Sequence, residues 1–226
     1  CVGHILGIVV KSPRFNGYKY SDKPDLGKNA LVARQAAAES IVLLQNNDHT
    51  LPLSPELTKL GLFSISSYDF TSGGTGSGSV NAAYVVNLKQ ALTQVGYAVN
   101  GDLEQYYSDK IQLAIDNLPF NYGLGRTSLR EVDIDRQLIE RSAEQDALAI
   151  VTIGRSNGEG LDRHAFDDFF WTREEAMLLE GVSQAFHAQG KRVVVVLNVS
   201  GAIEVERLFS ELYRVDGLDH SDHSLQ

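Results

Sequence analysis

Cysteine is nearly missing from this 226-residue chain. Its single example, Cys1, excludes an internal disulfide framework and any cysteine-rich metal site. Positive charge is scarce too. Twenty Lys and Arg stand against 29 Asp and Glu, a formal net charge of −9, and such a surface attracts neither nucleic acid nor anionic membrane. Neutral or cationic ligands fit it better. No apolar run approaches the ~18 residues that span a bilayer, and no basic, apolar, small-residue leader opens the chain. Residues 2–10 read as helix, not as the polar tether behind a lipidated first cysteine. His4, His49, His187, His220 and His223 lack metal-ligand spacing, so no metal or other cofactor is expected.

What is present is the composition of a globular α/β domain with flanks, 43% hydrophobic and 22% charged. Residues 28–40 are alanine-rich and helical in character, and the β-branched 41–44 follow as an expected short strand. A strand is expected at 60–65. Asn81 is read as the N-cap of a helix to about Gln94, stopped by Gly96, and 103–118 is amphipathic at helical spacing. Asp133 or Asp135 opens the next helix. Thr172 followed by Glu175 is a capping box that starts a helix over 173–189, with Gly190 as its stop. The apolar run 147–153 and the valine run 192–198 read as strands, the latter as one covered on both faces. Strands alternating with helices predict a three-layer α/β sandwich, a mostly parallel sheet with helices on both faces.

Two loops carry the chemistry. The stretch Gly158-Glu159-Gly160 follows the strand at 147–153 and puts a carboxylate where open α/β sheets face their ligands. The glycine loop 72–78 follows the strand at 60–65 and would share that edge in a parallel sheet. It is not a phosphate cradle: Gly78 is followed by Ser79 and Val80, where a P-loop needs Lys and Ser or Thr. Its hydroxyls, Thr75 and Ser77, suit an uncharged polyol. A lone carboxylate cannot run a retaining glycosidase, which needs a second about 5 Å away. Asp162, Asp167 and Asp168 are the nearby candidates, although the last two also suit the run-up to the next helix. Arg155, Arg163 and His164 flank the site. Trp171 with Phe166, Phe169 and Phe170 forms an aromatic group whose first role is core packing, with sugar stacking second.

Five segments in order resemble the second domain of glycoside hydrolase family 3: residues 36–46 (AAAESIVLLQN), Leu51-Pro52-Leu53, the loop 72–78, Gly158-Glu159-Gly160, and the run 193–198. The resemblance covers about residues 11–204 and is greatest to bacterial β-glucosidase-like members. It implies that Glu159 is the general acid/base of a retaining β-glycosidase and that Ser77, with Thr75, Gly76 and Arg163, binds substrate, a β-glucoside or oligosaccharide. It also implies a partner, an N-terminal barrel domain of the same polypeptide, which carries the aspartate nucleophile in a Ser-Asp-Trp type motif that this chain lacks. Residues 1–27 are then expected to be the tail of that barrel and a linker. Residues 28–213 are the sandwich, incomplete at its C-terminal end, and 214–226 a polar tail. Alone, such a chain is expected to be inactive. The alternative is a non-catalytic carbohydrate-binding or partner-docking module on the same fold.

Overall fold

The computed structural model describes residues 1–80, 82–118, 127–159 and 162–206. The chain forms two compact units, Cys1–Asn47 and Asp48–Gln226. In the first, helix α1 (Val2–Lys11) carries apolar side chains that are all solvent-facing, and α2 (Leu26–Ser40) starts where the Asp25 side chain accepts the Lys28 N–H. The strand expected at 41–44 is extended and exposed, with no ladder partner among the described residues. A β-branched run sets a backbone preference but cannot supply the neighbour that makes it a strand.

The second unit is built on a four-stranded sheet in the order β2-β1-β3-β4. Its strands are β1 (Lys59–Phe63), β2 (Ala98–Val99), β3 (Leu148–Arg155) and β4 (Arg192–Val199), all parallel. The register pairs Leu60 with Leu148, and Leu148 with Arg192. Side-chain alternation then sorts residues to two faces. Phe63, Ala149, Val151, Ile153, Val193 and Val195 turn to one face, where they pack with residues of α5 (Gly101–Asp116), α6 (Arg136–Gln145) and α7 (Arg173–Ala188). Leu60, Leu62, Leu148, Ile150, Val194 and Val196 turn to the other, which meets α4 (Leu88–Gln94) and the loop residues Leu53 and Leu57. The fold is a parallel α/β sandwich in three layers.

Its second face is the thinner, and β4 shows the consequence. Its residues are half-buried, not enclosed as the valine run had predicted, because β4 ends the described sheet and one outer layer is short. A second correction concerns α4. Its cap is Asn87, not Asn81, which lies outside the described residues. Asn87 and Gln90 satisfy each other's backbone N–H groups in a full capping box, and the preceding Tyr84-Val85-Val86 is not helical. The other helix starts follow the sequence signals. Asn100 caps α5, Asp135 caps α6, and Thr172 with Glu175 caps α7 reciprocally. Gly190, at φ 66°, ends α7 in a conformation that needs glycine. The polar tail expected at 214–226 lies outside the described residues.

Between β1 and α7, Phe63 and Phe186, both fully buried, meet edge to face at 5.8 Å. Truncating Phe186 to Ala should therefore lower unfolding free energy by about 3–5 kcal/mol, readable by urea denaturation; a loss under about 1 kcal/mol would contradict this packing.

Candidate active site

Four parallel strands put all their C-terminal ends on one edge, and three loops meet there. The first follows β1 through the short α3 (Ile65–Tyr68) and includes the glycine loop, in which Gly76–Gly78 form a single 3-10 turn. The second follows β3 and carries Glu159. The third follows β4 and turns at Gly201, φ 86°.

The first two loops are zipped together. Thr75 pairs with Gly158 in a parallel bridge, and the Thr75 N–H donates to the Asn157 carbonyl at 3.1 Å. Ser77 then donates twice to one carboxylate, its hydroxyl to Glu159 Oε1 at 2.6 Å and its N–H to Oε2 at 3.3 Å. Two glycines make the approach feasible. A Cβ on Gly74 would stand 2.4 Å from the Asn157 carbonyl oxygen, and one on Gly76 would meet Glu159 Oε2 at 2.9 Å. Gly76 also has φ 65°. Both Ser77 and Glu159 are solvent-exposed, so the pair faces outward from the sheet edge.

The Ser77 hydroxyl and then its N–H stabilise the charged carboxylate, holding Glu159 below the usual glutamate range. In this state the group is a base. Thr75, expected as a substrate contact, lies in the strand-like zip, and Gly76, expected likewise, opens the 3-10 turn that presents Ser77. Gly160 lies outside the described residues.

The flanking charges behave differently. Arg163 turns inward: its Nη1 pairs with Asp168 at 2.7 Å, its Nη2 donates to the Ser200 carbonyl, and its side chain is only 10% exposed. That leaves little of it for the sugar contact expected from the sequence, because carboxylate and carbonyl already hold the fork. Arg155 is buried and grips Glu175 with two nitrogens, at 2.5 and 2.7 Å. Asp168 is engaged by both arginines, and the exposed Asp162 accepts the Arg163 N–H at 2.8 Å. The side chain of Asp167 lies outside the described residues. Of the aromatic group, Trp171 is buried with its indole N–H on the Glu204 carbonyl, whereas Phe166 is 88% exposed.

Several supporting residues escaped the sequence reading. Asn198, at the end of β4, accepts the Thr71 N–H at 2.7 Å and donates to the Thr71 carbonyl at 3.2 Å, fixing the root of the glycine loop. Ser156 accepts the Ser128 N–H, and the Ser128 hydroxyl bonds that of Thr71. Glu131 accepts the N–H groups of Ile65 and Val132 at the start of α3. For Asn198 and Ser156 the one signal available was position, a polar side chain at a strand end on the ligand edge; Ser128 and Glu131, in the segment before α6, carried none.

A family model described as the glycosyl hydrolase family 3 C-terminal domain matches residues 41–218. The chain belongs to that family. It is 27% identical over 202 residues to β-glucosidase A of Butyrivibrio fibrisolvens, covering 78% of this chain and 23% of that protein. With a β-glucosidase of Ruminococcus albus the identity is 31% over 179 residues, 76% of this chain and 18% of the other. Among solved structures, β-glucosidase 3B from Thermotoga neapolitana in complex with α-D-glucose superposes with a TM-score of 0.81 at 34% identity, over 91% of this chain and 29% of that one. The family 3 chain described here thus spans under a third of the length of these relatives.

Two titrations check the electrostatics. Ser77→Ala should raise the Glu159 pKa toward the ordinary glutamate value, followed by carboxyl-carbon NMR; an unchanged value would mean that the serine does not hold the carboxylate. Burial pushes Glu131 up from 4.5 to about 7, so folding favours its protonated form. That contribution to stability is present below pH 4.5 and lost as pH rises through 7. Glu131→Gln should flatten this fall in chemical denaturation measured across the same window, and an unaltered slope would assign the dependence to another group.

Proposed function

We propose that this chain is the acid/base half of a retaining β-glycosidase of β-glucosidase type, with Glu159 as the proton-transfer group. The observation that carries the reading is the Ser77–Glu159 pair, exposed at the edge where three strand-end loops converge. Support comes also from the family membership and from relatives named as β-glucosidases.

In the proposed reaction, Glu159 protonates the glycosidic oxygen while a carboxylate from a barrel domain attacks the anomeric carbon. The C–O bond to the aglycone breaks and a glycosyl-enzyme forms. Glu159, now ionised, takes a proton from water, whose oxygen displaces the barrel carboxylate and releases the sugar with retained configuration. The first step needs a protonated Glu159, yet Ser77 favours the anion. Covering the loops with a barrel face would desolvate Glu159 and bring up a second negative charge, and both raise its pKa. If the Ser77 hydroxyl turns to the sugar on binding, it removes its own stabilisation of the anion at the same moment. In this reading residues 28–213 are assigned to the sandwich domain and residues 1–27 to the tail and linker from the barrel, while the compact unit that holds the sheet starts at Asp48. The substrate class is a β-glucoside or oligosaccharide.

The test uses the full-length polypeptide, barrel included. Glu159→Ala should lower kcat/KM for alkyl β-glucosides about 10²–10⁴-fold, because a poor leaving group needs the proton. For 2,4-dinitrophenyl β-glucoside the loss in kcat/KM should stay within about 10-fold, and azide should restore kcat by replacing water as nucleophile. Equal losses on both substrates, without azide rescue, would favour the non-catalytic module. The 226-residue chain alone should show no turnover, and hydrolysis by it that Glu159→Gln abolishes would refute the split between domains.

A further inference from the structure

The loop that bears Glu159 begins and ends at two arginines whose side chains meet on one carboxylate. Arg155, the last residue of β3, stands four residues before Glu159, and Arg163 four residues after it. Arg155 Nε donates to the Asp168 carbonyl at 2.8 Å and lies 3.5 Å from its carboxylate. Arg163 Nη1 reaches the same carboxylate oxygen at 2.7 Å. The far side closes through Ser200, just beyond β4. Its N–H and hydroxyl donate to the Arg155 carbonyl at 3.0 and 3.2 Å, and its carbonyl accepts from Arg163. The result is a closed ring, Arg155–Asp168–Arg163–Ser200, at the root of the loop.

The ring is anchored beyond itself. Glu175 grips Arg155 in two places and also holds the Thr172 N–H, so the ring is fixed to the first turn of α7. Along the line Glu175, Arg155, Asp168, Arg163 the charges alternate and cancel, and these side chains are between 6% and 28% exposed. At such depth every member needs its partner, since removing one leaves the other's charge buried and unpaired. Gly201 completes the fit, because a Cβ there would come within 3.3 Å of the Asn157 amide and 3.4 Å of Arg163.

The geometry points to the Arg155–Asp168–Arg163–Ser200 ring as a positioning device for Glu159, with Arg163 and Asp168 acting on proton transfer through the loop and not through contact with the sugar. This inference rests on the acid/base reading of Glu159. A free loop spreads its carboxylate over many positions, whereas one whose two ends are clamped to each other leaves it few. Ser77 then holds the apex from the opposite loop. Neither clamp alone fixes a carboxylate to the accuracy that proton transfer in a near-attack geometry requires.

The experiment is a leaving-group comparison on the full-length enzyme for Arg163→Lys, Arg163→Ala and Asp168→Asn, with Glu159→Ala alongside. Displacement of Glu159 should lower kcat/KM for alkyl β-glucosides roughly 10–100-fold while 2,4-dinitrophenyl β-glucoside changes less than about 3-fold. Arg163→Lys keeps the charge but not the fork, so it should fall between wild type and Arg163→Ala. Retained turnover of the activated substrate serves as the folding control, and melting temperatures are read in parallel. Losses equal on both substrates, accompanied by early melting even in Arg163→Lys, would reduce the ring to a structural brace and overturn the proposal. Full activity of all three variants on both substrates would overturn it as well. A Glu159→Ala variant that fails to discriminate the two substrates marks a different failure, that of the acid/base reading itself.

Discussion

Everything at the candidate site depends on the strands running the same way. In a parallel sheet each strand hands its chain to a loop at one common edge, so the loops after β1, β3 and β4 become neighbours although more than 120 residues separate the first from the last. That convergence lets a serine at position 77 hydrogen-bond a glutamate at 159, and lets Asn198 hold the backbone of Thr71. Reversing any one strand would send its loop to the opposite edge and dismantle the constellation.

The same geometry explains the glycines. Gly74 lets the glycine loop touch the Asn157 backbone, Gly76 makes room for the Glu159 side chain, and Gly201 lets the third loop press against Asn157 and Arg163. What results is a hydrogen-bonded platform with an exposed carboxylate at its tip. Ser77 keeps that carboxylate in its basic form; in the proposed reaction a covering surface would turn it into half of an acid/base cycle. The membership in family 3, in a chain that spans less than a third of its relatives, accords with a site shared between domains.

Much of this was legible in the residues. The capping box at Thr172 and Glu175, the strand expected at 147–153 and found at Leu148–Arg155, and the parallel sheet follow from local pattern, because caps and alternation are short-range physics. The closeness of the glycine loop to Glu159 also followed, since topology alone puts both on one edge. The misses were tertiary. The run at 192–198 could not reveal that β4 lies at the edge of the described sheet, and residues 41–44 could not reveal that they pair with no strand among the described residues. Arg163 read as a residue flanking the site and, by resemblance, a substrate contact, because nothing near it in sequence announces Ser200. A buried ring that joins positions 155, 163, 168 and 200 is invisible until the fold assembles it.

The central claim is that Glu159 delivers and recovers the proton. The most direct measurement is a crystal structure of the full-length polypeptide with an intact thioglucoside across the interdomain cleft. The account predicts the Glu159 carboxylate within hydrogen-bond reach of the glycosidic sulfur and about 5 Å from a barrel carboxylate on the other side of the anomeric carbon. A different acid beside the sulfur, with Glu159 still turned onto Ser77 and away from the sugar, would contradict it.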